Sequence, residues 1–223
     1  MGVNDGLVSI FLLVIGLVGA SESRTSILAS GFAAAIAGAI SMGIGEYVAT
    51  KSQLEVTEGE LKLEREHFKY HRDIELDQLR QYLKSLNLDG DLLEAVISHV
   101  GRSDDSLLKV MLAFEFGVGS DVLEDSAGER NPLKAMFMSG RLFLIGCIPS
   151  IFPFFIPQMT VTESIITSSI LVGIALFAVG AYKTKTTRGS WWKGGMENFL
   201  FGVIGGAISF CVGLVFDIVR QRF

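Results

Sequence analysis

Residues 27–48 read ILASGFAAAIAGAISMGIGEYV, and residues 49–86 continue as ATKSQLEVTEGELKLEREHFKYHRDIELDQLRQYLKSL. The first stretch carries one charge, Glu46, whereas the second is crowded with charge. A helix crossing ~30 Å of hydrocarbon needs about 20 mostly apolar residues, so 27–48 reads as a membrane span. In the second stretch no proline and a single glycine fall between Ser52 and Leu86. Leu54, Leu61, Phe68, Leu76, Leu79 and Leu83 recur there near helical spacing. The pattern predicts one helix that leaves lipid and continues into water.

Four other stretches are apolar enough to span. They are 3–20 (with Asp5), 133–157 (with Lys134 and Arg141 near its start), 164–182 and 199–219 (with Asp217 near its end). Pro149, Pro153 and Pro157 are expected to kink or end the third span. No basic segment precedes Asn4 and Asp5, and the first apolar run leads directly into the second, so a signal peptide is not expected. Across all 223 residues the net charge is −5 and the mean hydropathy +0.45, with only 19% charged residues against about 25% in soluble domains. That balance excludes a disordered chain and argues against a protein that works by neutralising nucleic-acid phosphates. Cys147 and Cys211 lie in apolar runs and read as small hydrophobic residues. The expected fold is an all-α membrane protein, with five transmembrane helices and a cytosolic three-helix insert between the second and third. Its parts are 1–50 (spans one and two), 51–130 (the insert) and 131–223 (spans three to five).

The insert holds 18 of the 24 acids and all three histidines, with a net charge of −8 from its own residues. Helices are expected over 52–86, 91–100 and 103–118, with Asp89-Gly90 as a turn and Ser103 as a cap. With five spans, the N-terminus, the insert and loop 183–194 share one side. Fifteen Lys and Arg lie on that side against three on the other, which makes it cytosolic. On the first insert helix Glu60, Glu64, His67, His71 and Glu75 follow one another at three or four residues and form one stripe. Met111 and Glu115 form an i, i+4 pair on the last helix, and Asp73 and Asp77 add carboxylates nearby. Carboxylate, imidazole and thioether together suit Fe2+, Mn2+ or Zn2+ better than Ca2+. The same stripe also fits a solvated helix face, with Lys62, Arg65, Lys69 and Arg72 as ion-pair partners.

Acids within lipid cost about 2.5–3.5 kcal/mol at the centre and mark function by default. Asp5 and Glu46 are the two candidates, and Met42 lies one turn before Glu46 on the same face. An acid and a thioether lining a helix interface suit the passage of a soft-to-borderline divalent ion. Gly202, Gly205, Gly206 and Gly213 suit close helix packing, and Trp191-Trp192-Lys193 an interfacial anchor.

Asn4-Asp5-Gly6-Leu7 at the head of span one, Ser41-Met42-Gly43-Ile44-Gly45-Glu46-Tyr47-Val48 in span two, and the acidic helical insert together resemble the vacuolar iron transporter family. The resemblance covers nearly the whole chain. It implies a homodimeric exchanger, without a permanently bound cofactor, that moves Fe2+ and often Mn2+ out of the cytosol against protons. The membrane would be vacuolar or another endomembrane in a eukaryote, and the inner membrane in a bacterium. By motif, Asp5 and Met42 would line the ion path with Glu46 nearby, while Glu64, Glu75, Met111 and Glu115 would bind metal in the insert. His67 and Gln78 stand where the family pattern has glutamates. His67 ligates only when neutral, so affinity should depend more on pH, and Gln78 offers a neutral oxygen. Only four residues precede Asp5, which places it near the cytosolic edge of the span. The competing function is a membrane-anchored metal-binding or regulatory protein that does not transport. A di-iron oxidase would need Glu-x-x-His on two helices. Only Glu64-Arg65-Glu66-His67 supplies one, because Phe68 and Val96 stand three positions before His71 and His99.

Overall fold

Lipid leaves a backbone no water to bond with, so a spanning segment must satisfy itself as helix. The computed structural model describes residues 2–115, 131–187 and 189–222; the side chains of Glu64, Phe68, Glu115, Thr186 and Thr187 lie outside the described set. The helices are α1 (Gly2–Gly19), α2 (Arg24–Tyr70), α3 (Arg72–Ser85), α4 (Gly90–Val100), α5 (Asp104–Glu115), α6 (Pro132–Ile151), α7 (Val161–Thr187) and α8 (Trp191–Arg220). A 3-10 turn, Phe152–Phe155, follows α6, and no strand occurs among the described residues. Five helices are long and apolar enough to cross a membrane: α1, α2, α6 with its 3-10 turn, α7 and α8. The protein is thus an all-α membrane protein. The chain divides into two compact units, 1–46 with 135–223, and 47–134.

In the first unit, bare backbone meets backbone where helices cross. A Cβ on Gly6 would lie 2.2 Å from the Phe143 carbonyl oxygen, and one on Gly146 would lie 2.2 Å from that of Val3. Gly213 of α8 meets the Gly16 carbonyl of α1 in the same way, at 2.1 Å. Around these crossings two apolar clusters close. Ile10, Val14, Ile27, Ala35, Phe143, Cys147, Ile151 and Phe154 form one, and Leu7, Phe11, Val172 and Leu176 the other. The prolines of the third span divide their work. Pro149 stays inside α6, which ends at Ile151, and Pro153 falls in the 3-10 turn. Carbonyls at this helix end lack intrahelical donors. Ser168 Oγ donates to the Ser150 carbonyl at 3.0 Å, and Ser164 Oγ donates to that of Pro153 at 3.3 Å. Arg24 donates to the carbonyls of Ile156 (2.9 Å) and Met159, which fastens the turn before α7.

The second unit corrects one expectation. The predicted single helix over 52–86 breaks at His71, whose backbone (φ −136°, ψ 34°) is not helical. A straight helix over that range would run about 50 Å, while α4 and α5 have only 11 and 12 residues. Turning at His71 gathers Leu79 and Leu83 of α3 onto Leu93, Ile97, Leu107, Leu108, Met111 and Leu112, with Leu61 and Leu76 packed beside them. The burial of these leucines outweighs the local helical preference of the sequence. Polar ties close the rim. Arg72 bonds Asp104 and the Gly101 carbonyl, and Arg80 joins Glu94 (3.2 Å) and Asp77 (2.6 Å). The Glu94 hydrogen bond and charge, with a smaller part from Asp77, raise the Arg80 guanidinium pKa above its ordinary value.

Gly146→Ala is expected to lower the thermal midpoint of the detergent-solubilised protein by roughly 5 °C or more, because backbone cannot step aside for the new methyl. Gly59→Ala, whose Cβ would meet nothing within 4 Å, should leave the midpoint unchanged or raise it slightly, since alanine favours helix.

Candidate metal path and metal-binding insert

Asp5 sits between two anchored neighbours. On one side Asn4 accepts a hydrogen bond at its Oδ1 from Asn198 Nδ2 of α8 (2.9 Å), and on the other Gly6 lies against the α6 backbone. Successive residues of a helix differ by about 100° in direction. With both neighbours turned toward packed helices, Asp5 points outward and is exposed. Phe143 links α1 to α2: its carbonyl meets Gly6, and a Cβ on Gly38 would lie 2.4 Å from its ring. Met42, one turn beyond Gly38, is half-buried beside the same cluster, and Glu46 one turn further is exposed. Asp5 is thus an exposed carboxylate on a helix long and apolar enough to cross a membrane.

In the insert the break at His71 changes which groups meet. Residues 67 and 75 would lie about 12 Å apart along a straight helix. With the break, His67 Nδ1 stands 3.5 Å from Glu75 Oε1. The His67 side chain is 53% exposed and that of Glu75 only 5%, so the pair joins a buried carboxylate to an accessible imidazole. The rings of His67 and His71 are edge-on, with centroids 6.4 Å apart. Glu60 and Gln78 are half-buried on α2 and α3, and Met111 is fully buried in the apolar cluster. The side chains of Glu64 and Glu115 lie outside the described residues. Among the described residues no three His, Cys, Asp or Glu side chains gather closely enough to hold a metal ion. What the fold does assemble is one imidazole beside one carboxylate, two ligands suited to a divalent transition ion.

Two residues that spacing did not single out tie helices of the first unit together. Asn198 bonds both Asn4 and the Leu176 carbonyl (2.8 Å), and so joins α8 to α1 and α7. Arg24 serves the carbonyls after the 3-10 turn. Asn198 follows Glu197 directly and is half-buried, and the long range of its contacts and of those of Arg24 hides their partners from the sequence.

The sequence profile of the VIT family matches residues 1–214. The chain is 29% identical over 211 residues to vacuolar iron transporter 1 of Eucalyptus grandis, covering 94% of this chain and 82% of that protein. It is 30% identical over 223 residues to a vacuolar iron transporter of Centaurea cyanus (97% and 88%). It is 28% identical over 192 residues to Protein CCC1 of Saccharomyces cerevisiae (85% and 57%).

Glu75→Gln is expected to weaken Mn2+ binding by the purified protein at least ~tenfold in a calorimetric titration. His99→Ala, on α4 and outside the stripe, should leave it unchanged.

Proposed function

The chain belongs to the VIT family, and on that footing we propose that it carries Fe2+ across a membrane, out of the cytosol. Members of this family are transporters, so the oxidase reading falls away. The observation that carries the proposal is Asp5, an exposed carboxylate on a membrane helix whose two neighbours are held by packed helices. Such a group is stable in a bilayer only if something other than lipid meets it. A second copy of the chain set against this face would enclose the carboxylate between two protomers and leave it open to ions. Asp5 binds the ion and then a proton in alternation, which makes the carrier a proton antiporter. Met42 supplies a thioether to the same path, and Glu46 a second carboxylate nearer its mouth. Mn2+ follows the same route, because these ligands do not separate neighbouring divalent ions strongly.

The insert, on the cytosolic side, gathers the metal. His67 and Glu75 begin the site, and Glu60, Glu64, His71, Gln78, Met111 and Glu115 are its further candidate ligands. The membrane is vacuolar or another endomembrane in a eukaryotic cell, and N-terminus and insert both face the cytosol.

Proteoliposomes carrying the protein should take up Fe2+ when a pH gradient is imposed, and Asp5→Ala should reduce uptake to the protein-free background while leaving Mn2+ binding by the insert intact. Metal bound without uptake by the wild type would instead identify a membrane-anchored metal-binding protein.

A further inference from the structure

The small-residue face of α8 carries one amide. Gly194 and Gly202 lie one turn before and after Asn198, and both are at close crossings. A Cβ on Gly202 would lie 2.4 Å from Leu176 Cδ1, and one on Gly180 of α7 would lie 2.4 Å from the Gly194 carbonyl oxygen and 2.8 Å from Asn198 Cβ. Asn198 is thus confined, and its Nδ2 donates in two directions, to the Leu176 carbonyl and to Asn4 Oδ1. The two bonds differ in kind. A carbonyl is present whatever residue occupies position 176, whereas the bond to Asn4 reads a side chain. A second polar tie from α8 to α1, Ser209 Oγ donating to the Leu12 carbonyl at 2.5 Å, reads only backbone, and Asp217 and Arg220 bond the side chains of Ser21 and Glu22, beyond the end of α1. Along α1, the Asn198 contact is therefore a side-chain lock on helix rotation, and it falls one residue from Asp5.

Rotation is what matters at that position. On the opposite side of Asp5, Gly6 rests against the α6 backbone and sets how close the helices come, and Leu7, Ile10 and Phe11 pack α1 further along its length without contacting through polar atoms. The amide pair adds a directional restraint. We infer that Asn198 is a positioning residue for transport: through Asn4 it fixes the rotation of α1 and so aims the Asp5 carboxylate into the ion path. This rests on the reading of Asp5 as the group that binds the ion. Asn198 itself touches neither ion nor path. It keeps the carboxylate from sharing its time between the path and orientations in which it cannot bind.

The test is Fe2+ uptake into proteoliposomes as a function of Fe2+ concentration, normalised to folded protein by gel filtration. Asn198→Ala and Asn4→Ala should each raise the half-saturating concentration about tenfold, the equivalent of one lost hydrogen bond. The double variant should be no worse than Asn198→Ala alone, because Asn4→Ala removes no bond that Asn198→Ala leaves in place. If Asn198→Ala does not fold, Asn4→Ala carries the test, since it leaves the bond to Leu176 in place. A change confined to the amount of folded protein or to the maximal rate would overturn the inference and leave Asn198 a structural residue. So would single effects that multiply in the double variant. Asp5→Ala run in parallel separates the two readings. Wild-type uptake by Asp5→Ala overturns the ion-path assignment together with this inference. A dead Asp5→Ala beside asparagine variants with unchanged half-saturation overturns the positioning role alone.

Discussion

Position 146 has no room for a Cβ, because the backbone of α1 passes there at the distance of direct contact. That crossing, with its counterpart at Gly6, decides how α1 and α6 lie against one another, and the direction of Asp5 follows from it. Close glycine crossings are how helices associate in lipid, where apolar side chains gain little by meeting one another. Here they serve a second purpose. With neighbours on both sides turned to α6 and α8, the acid between them is left facing outward. An acid facing outward from a membrane helix is costly wherever it meets hydrocarbon, so in the proposed carrier packing and chemistry are linked through a few residues at the start of α1.

In the insert the governing event is the break at His71. Without it His67 and Glu75 would stand more than two turns apart, too far to share an ion. With it they face one another, and the same turn delivers Leu79 and Leu83 to the apolar cluster. The apolar burial holds the break, and the break holds the pair. Glu75 therefore combines two roles that a surface carboxylate would not: it lies within the unit's packed interior and beside an imidazole that solvent can reach.

The five spans are legible in the sequence because lipid admits few charges and requires about 20 residues of helix. Asp5 and Glu46 stand out against that background for the same reason. The glycines of α8 are legible as a packing face, though not their partners on α1 and α7. The break at His71 is not legible. The residues from 60 to 80 keep helical spacing without proline, and the interruption is imposed by leucines that lie on other helices. Met111 shows the same limit: its full burial among leucines of other helices is not announced by the residues around it. The tie from Asn198 to Asn4 spans 194 positions, and no local pattern announces a contact of that range.

The central claim is that the α1 face bearing residue 5 meets an aqueous path and not lipid. The direct measurement is the reactivity of Asp5→Cys in a Cys147→Ala, Cys211→Ala background, in intact membranes. A charged, membrane-impermeant thiol reagent is expected to label it as readily as a lipid-soluble one. Labelling by the lipid-soluble reagent alone would place residue 5 against hydrocarbon and contradict the account.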